Sequence, residues 1–224
     1  MSRSSRPPRS MQPAAPTGRV WPRLAWLAAL ACGTLLAACA GNPTVLTDIR
    51  YDLGSQAGGS EQAVPAAPGR KPVLKVLAVV APPPLDNDGI LYRMDADSQR
   101  TARYANSRWT MSPARLLTER LRTSLGAQMT VLSGADSVQA PMLKIELYEF
   151  EQVFESPTQS AGVLAARATL MQGGRVLAQR TFVTRAPAST PDAAGGVRAL
   201  QAASDDFAKQ LGAWVSTQTL AGAT

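Results

Sequence analysis

Residues 163–184 read VLAARATLMQGGRVLAQRTFVT, two runs rich in apolar residues on either side of Gln172, Gly173 and Gly174. A Gly-Gly pair between two such runs is typical of a tight β-turn, because glycine adopts the positive φ values that two-residue hairpin turns require. The stretch therefore predicts two antiparallel neighbouring strands, over residues 163–171 and 175–184. Two strands alone are at best marginally stable, so the fold needs further elements that pack on their apolar faces.

The segment before this hairpin, residues 142–154, predicts a third long strand. Leu143 and Leu147 share one face of it, whereas Tyr148 and Phe150 fall on the other face. This switch in the alternation indicates a bulge, or a strand that is covered differently along its length.

Shorter strands are predicted nearer the N-terminus. Residues 72–81 are apolar on both faces, as in a covered central strand, and end at prolines that cannot continue a ladder. Residues 48–53 alternate like an edge strand, and residues 90–93 and 128–132 form two further short strands. Residues 86–89, Asp-Asn-Asp-Gly, predict a turn.

Two segments have the apolar spacing of amphipathic helices. The first begins at Ser112 and Pro113, a favoured N-cap followed by a residue tolerated at the first helical position, and ends at Gly126. The second begins in the same way at Thr190 and Pro191. The apolar faces contain Ala114, Leu117, Leu121 and Leu125 in the first helix and Val197, Leu200, Phe207, Leu211 and Trp214 in the second. The sequence thus predicts an α+β fold, in which two amphipathic helices pack on one face of a mainly antiparallel sheet of about four to five strands.

Residues 1–38 have the layout of a secretion signal. Five arginines and no acidic residue precede the apolar run at 24–36, and small residues follow that run. The run is about half as long as a transmembrane helix requires. We therefore expect residues 1–38 to be a cleaved signal peptide.

Removal of this leader changes the charge of the chain. The full sequence has 23 basic and 16 acidic residues, and five of the basic ones precede Cys39. The remainder has 18 basic and 16 acidic residues, a net charge of +2. Without a concentrated excess of basic residues, the sequence argues against a nucleic-acid partner.

Cysteine usage points to a membrane anchor. Cys32 lies inside the apolar run, so Cys39 would be the single cysteine of the mature chain and could not form an internal disulfide. Residues Leu36, Ala37, Ala38 and Cys39 resemble the lipobox of bacterial lipoproteins, in which the cysteine becomes the acylated first residue. We expect a covalent lipid on Cys39 and no other cofactor, because several acyl chains on one residue anchor a protein stably.

This anchor divides the rest of the chain. Residues 39–72 would contain the lipidated N-terminus, the short strand at 48–53 and a flexible linker. Residues 73–219 would form the folded domain, to which the strand at 48–53 can be added, and residues 220–224 a disordered tail. Ala40 follows the cysteine, whereas enterobacterial lipoproteins retained in the inner membrane have aspartate there, so we expect the periplasmic face of the outer membrane.

The sequence argues against catalysis and metal binding. It contains no histidine, which excludes Ser-His triads and the commonest metal ligand. Glu146, Glu149, Glu151 and Glu155 are expected to be solvated residues of an exposed strand. Residues 86–89 begin like a calcium loop but lack the later glutamate. We therefore predict no catalytic residue and no metal site.

An ordered set of features resembles a known family, the ABC-type transport auxiliary lipoproteins, which include PqiC-like intermembrane transport lipoproteins. The features are an acylated cysteine, a Tyr-x-Leu segment, an apolar strand that runs into proline, residues 90–93, an Arg-Trp pair before the first helix and an Ala-rich last helix. The resemblance implies a non-catalytic accessory or docking role beside a periplasmic MCE protein, an ABC permease and an ATPase. The expected cargo is a phospholipid or another hydrophobic molecule.

Five residues of these motifs are candidates for contact with a partner or a hydrophobic ligand: Leu91, Tyr92, Arg93, Arg108 and Trp109. Aromatic side chains on loops are common anchors of interfaces, but a tryptophan beside an amphipathic helix also fits a core position. Two other functions stay open: a structural or assembly-factor envelope lipoprotein without lipid cargo, and a lipid-anchored hydrolase that uses a serine. Self-association is compatible with each of the three.

Overall fold

In the computed structural model, which describes residues 48–54, 71–95 and 99–218, a mixed sheet of eight strands packs against two α-helices. The strands are β1 Ile49–Tyr51, β2 Val73–Val76, β3 Gly89–Arg93, β4 Thr101–Trp109, β5 Thr130–Leu132, β6 Met142–Ser156, β7 Gln159–Gln172 and β8 Arg175–Pro187. The helices are α1 Pro113–Gly126 and α2 Ala193–Ser216, and a short 3-10 helix, Pro83–Leu85, precedes β3. The predicted signal peptide, Cys39, the linker at 55–70 and the tail at 220–224 lie outside the described residues.

Three long antiparallel strands, β6, β7 and β8, form the spine of the sheet. The predicted Gly-Gly hairpin is confirmed, with φ of 56° at Gly173 and 78° at Gly174 between β7 and β8. The predicted bulge is also confirmed, since the register of β6 against β7 shifts between Leu147 and Glu149. Tyr148, which lies at this shift, is 42% exposed.

The other side of β6 is shared by two short strands, both parallel to it. β2 pairs at its start, with Val76 opposite Leu143, and β3 pairs near its end, with Tyr92 opposite Gln152. β5 extends the sheet beyond β2, while β4 and then β1 extend it beyond β3. The α+β class is therefore confirmed, but the sheet has eight strands and not four to five, and its antiparallel part is concentrated in the long strands.

Two strands differ from the prediction, one in its existence and one in its length. β4 was not predicted, because most of its nine residues are exposed and it has little apolar alternation. β2 is shorter than predicted, because the backbone N–H of Val79 donates to Thr118 Oγ1 of α1 at 2.9 Å and so leaves the ladder. Val80 rejoins β6 one residue later, donating to the carbonyl of Ile145 at 2.9 Å.

Both helices pack on the same face of the sheet, as predicted. α2 crosses β6, β7 and β8, and α1 contacts α2, β2 and β5. Their predicted apolar residues belong to one core with the inward residues of β6, β7 and β8, except that Trp214 is partly buried and packs against this core. The inward residues of the strands include Leu143, Ile145, Leu164, Leu170 and Phe182.

The first turns of the helices differ from the predicted caps. Ser112 does precede α1, but its hydroxyl is buried and makes no hydrogen bond. The cap of α2 is Asp192 and not Thr190: Asp192 Oδ1 accepts from the N–H of Gly195 at 2.7 Å, and Thr190 Oγ1 donates to the same carboxylate at 2.8 Å. A carboxylate directly before the first helical residue can satisfy the free N–H groups of that turn, whereas Thr190 lies too early in the chain.

Candidate docking surface

The β3–β4 hairpin contains all five residues that were predicted to contact a partner. Leu91 and Trp109 are 8% and 0% exposed, so their side chains belong to the core. The indole of Trp109 packs on Phe150, with ring centroids 5.6 Å apart. Of the two alternatives that the sequence left open for Trp109, the structure has the core position.

Arg93 makes a partly buried ion pair with Glu151 of the neighbouring strand. Its Nε and Nη2 donate to Glu151 Oε1 at 2.8 and 2.6 Å. Glu151 is 4% exposed, so the expectation of a solvated strand was wrong for this carboxylate. A buried carboxylate is tolerated here because the guanidinium neutralises it and satisfies its oxygen.

Arg108 joins the hairpin to the N-terminal strand. Its Nε donates to Asp48 Oδ2 at 2.6 Å, and Asp88 Oδ1 lies 3.8 Å from Nη1. Asp88 Oδ2 also accepts from Arg50 of β1 at 2.9 Å. The hydrogen bond to Asp48 raises the pKa of Arg108. This network fixes β1 against β4, so Arg108 contributes to the packing of the edge.

Tyr92 is the half-buried aromatic residue among the five candidates. Its ring lies 4.8 Å from that of Tyr104 and 6.2 Å from that of Phe154, measured between centroids. We call Tyr92, Tyr104 and Phe154 the aromatic cluster. Neither Tyr104 nor Phe154 was predicted as a site residue, because Tyr104 belongs to the polar β4 and only the pairing of β3 with β6 brings Phe154 near.

A hydrogen-bond chain behind the aromatic cluster holds it in place. Tyr104 Oη donates to Gln152 Oε1 at 2.8 Å, and Gln152 Nε2 donates to Ser160 Oγ at 2.7 Å. Burial, together with the negative charge of Asp192 and the neighbouring Tyr92, raises the pKa of Tyr104 to about 12. The Tyr104 hydroxyl therefore stays protonated at neutral pH and acts as the donor.

A surface pocket of about 390 Å³ opens beside the aromatic cluster, at the end of the hairpin. We call it the hairpin pocket; it is lined by Tyr92, Met94, Asp95, Arg100, Thr101 and Ala102. Met94, which sequence reasoning missed although it directly follows Arg93, is 60% exposed. A half-buried aromatic ring beside an exposed thioether fits a partner's apolar side chain.

A second pocket, of about 480 Å³, lies where β6 turns into β7. Glu155 and Arg185 face each other across it as an ion pair, and its other lining residues are Thr158, Gln159, Ser160, Ala161, Pro187 and Ala188. Because it lacks aromatic side chains, it is the weaker candidate for an apolar contact.

The described residues have no cluster of metal-ligating side chains. No group of three or more His, Cys, Asp or Glu residues in this part of the chain could hold a metal ion. Ser160 accepts from an amide, and Lys75 donates to the carbonyl of Asp136 at 2.8 Å. Lys144 donates to a carboxylate oxygen of Glu146. Within the same ranges, no helix is long and apolar enough to cross a bilayer.

Comparisons with known proteins agree with this architecture. The sequence model of a family described as the ABC-type transport auxiliary lipoprotein component matches residues 51–212. A crystal structure of a Xanthomonas campestris protein is 20% identical, with a TM-score of 0.58, and the alignment covers 75% of this chain and 92% of that one. A second crystal structure, of an uncharacterised protein, is 17% identical, with a TM-score of 0.60 and coverage of 75% and 99%. These two structures are similar in fold. No curated protein matches the sequence.

Proposed function

This chain belongs to the family of ABC-type transport auxiliary lipoprotein components, and from that premise we propose that it is the docking subunit of an ABC/MCE-type intermembrane lipid transport system. It binds the periplasmic MCE protein, and through it the ABC permease and ATPase, without catalysing a reaction. The lipid on Cys39 holds it at the periplasmic face of the outer membrane.

The observation that carries this proposal is the hairpin pocket. Family membership implies a transport system as partner, and a docking subunit needs an accessible apolar contact on a rigid support. Met94 supplies the exposed contact, and Tyr92 is supported by Tyr104 and Phe154 behind it. A non-catalytic role is further supported by the lack of histidine in the sequence.

Affinity purification of the tagged, full-length lipoprotein from detergent-solubilised membranes tests the proposal. We expect the MCE protein to co-purify, with the permease and the ATPase. Recovery of barrel-assembly or peptidoglycan-binding proteins in their place would favour the alternative, an envelope lipoprotein without lipid cargo.

Two variants test the hairpin pocket itself. Tyr92→Ala and Met94→Ala should each reduce recovery of the MCE protein about tenfold or more, as expected for anchors of an interface. Val138→Ala is the matched control, because Val138 is also an exposed apolar residue, at 43%, but lies in the β5–β6 loop. Melting temperatures of all three show whether a loss of binding arises at the contact or through unfolding. Equal recovery with the three variants would exclude the hairpin pocket as the contact.

A further inference from the structure

β8 is the long edge of the sheet. Among the described strands, β7 alone pairs with it. β8 has 13 residues, whereas β1 and β5, the edge strands elsewhere in the sheet, have three each. A long edge strand presents a row of backbone donors and acceptors with which a further strand can pair.

The pairing with β7 determines which backbone groups of β8 point outward. The N–H of Ala188 donates to the carbonyl of Ser160 at 2.8 Å, and the register is unbroken over residues 178–187. Residues of an antiparallel strand direct their N–H and C=O groups alternately toward and away from the partner. The backbone groups that point away from β7 are therefore those of Gln179, Thr181, Val183 and Arg185, which we call the β8 edge.

The residues of the β8 edge are exposed while the strand itself is firmly held. Phe182 and Thr184, which alternate with them, are each 2% exposed under α2, and Thr184 Oγ1 donates to the carbonyl of Ala203 at 2.9 Å. Val183 is 66% exposed on the opposite face. A rigid strand with an accessible edge can accept another strand without reorganisation of the sheet.

The charge of β8 indicates what kind of strand it accepts. Arg175, Arg180 and Arg185 all lie in this strand, and residues 175–187 contain no acidic residue. Outside β8, the chain after the leader is close to balance, with 15 basic and 16 acidic residues. Arg185 is paired with Glu155 of β6. A second copy of β8 would bring like-charged arginines together, whereas a strand with carboxylates would complement Arg175 and Arg180.

We propose that the β8 edge binds an extended, acidic segment of a partner protein, which adds a strand to the sheet. Main-chain hydrogen bonds to the four residues of the edge provide affinity, and carboxylates near Arg175 and Arg180 set the direction of the added strand. The proposal deepens the docking function and rests on it, since it assigns a second contact surface and the chemistry of the segment bound there.

Photo-crosslinking in cells tests the proposal on the full lipoprotein. A benzophenone amino acid is placed at Thr181, on the β8 edge, and as a control at Thr123, on the exposed side of α1. Mass spectrometry then identifies the cross-linked peptides. We expect position 181, and not position 123, to react with a segment of another protein that has acidic residues and an extended pattern. No adduct, an adduct with a second copy of this chain, or an adduct with a segment that lacks acidic residues would overturn the proposal.

Variants of Val183 separate strand pairing from general contact. Val183→Pro removes an outward N–H and no hydrogen bond to β7, so the yield of the adduct should fall about tenfold. Val183→Thr keeps that N–H and should retain the adduct.

If Val183→Pro lowers the melting temperature, Val183→Glu and Val183→Lys are compared in its place. The glutamate should repel the acidic segment and the lysine should retain it. Equal adduct yields for Val183→Pro and Val183→Thr would overturn the proposal. If Val183→Pro is destabilised, equal yields for Val183→Glu and Val183→Lys would overturn it.

The outcomes for the two proposals are distinguishable. If the MCE protein co-purifies but position 181 gives no adduct, the docking function stands and the β8 proposal fails. If position 181 reacts with an acidic strand of a protein outside any transport system, the β8 proposal stands and the assignment to an MCE system fails.

Discussion

The indole of Trp109 packs against the ring of Phe150, with centroids 5.6 Å apart and planes inclined by 55°. Trp109 is the last residue of β4, and Phe150 follows the bulge of β6. Both side chains are at most 1% exposed. The contact therefore joins the short strands to the long antiparallel strands.

Truncation of Trp109 should unfold the domain readily. Trp109→Ala removes a fully buried indole, and such changes cost about 3–5 kcal/mol of the free energy of unfolding. Trp109→Phe should cost less, because its Nε1 makes no hydrogen bond that would be lost. Denaturant titrations of the two variants measure the difference. A Trp109→Ala protein that melts like the wild type would contradict the core position.

Gly196 is expected to tolerate no side chain. A Cβ at this position would lie 2.0 Å from Gln152 Oε1, the atom that accepts from Tyr104. Gly196→Ala should therefore lower the free energy of unfolding by about 1–3 kcal/mol. Gly126→Ala is the control, since no atom lies within 4 Å of the added methyl group, and its effect on stability should have the opposite sign. Alanine is the better helix former, so this control should raise stability by about 0.5–1 kcal/mol. Thermal denaturation of both variants checks the prediction, and equal effects would contradict it.

The ion pair of Arg93 and Glu151 should contribute to stability as a buried pair does. Glu151→Ala removes the carboxylate next to a guanidinium whose side chain is 24% exposed. Since partial exposure reduces the cost, we expect a loss of about 2–3 kcal/mol. Glu149→Ala alters an exposed carboxylate on the same strand and should change stability by about 0.5 kcal/mol or less. Similar urea midpoints for the two variants would contradict the buried pair.

Local pattern predicted the parts of the fold that depend on neighbouring residues. The Gly173-Gly174 turn, the bulge near Tyr148 and both helices follow from features a few residues apart. The parallel pairing of β2 and β3 with one side of β6 depends on segments far apart in the chain, and no local periodicity encodes it. Prediction of the candidate site failed for the same reason. Arg93 and Arg108 form ion pairs with carboxylates that lie 58 and 60 positions away in the sequence. The ion pairs that hold Arg93 and Arg108 thus could not be predicted from the residues near them in the sequence.

Lipidation of Cys39 can be tested by substitution. Cys39→Ser should accumulate as an unprocessed or unlipidated precursor, because the predicted mature chain has no other cysteine to acylate. Cys32→Ser is the control, since Cys32 lies in the predicted leader, and its mature product should keep the lipid. Mass spectrometry of the mature protein decides between these outcomes. An unmodified Cys39 in the native protein would contradict the predicted lipid anchor. Recovery of the native protein in the inner-membrane fraction of a density gradient would contradict the predicted outer-membrane location.

The last prediction concerns Tyr104, whose pKa is raised to about 12 from its ordinary value of 10.0. The folded state holds this proton more tightly than the unfolded state does, so the resulting stabilisation is complete below about pH 10 and is lost as the pH rises toward about 12. Tyr104→Phe lacks this hydroxyl proton and should lose less stability between about pH 10 and pH 12.

Near neutral pH, Tyr104→Phe should be less stable than the wild type by about 1–2 kcal/mol, because Gln152 Oε1 loses its hydrogen-bond donor. Urea denaturation at several pH values measures both effects. Tyr148→Phe, which changes an exposed tyrosine, should follow the wild-type curve. Parallel curves for Tyr104→Phe and the wild type above pH 10 would contradict the burial of the Tyr104 hydroxyl against Gln152.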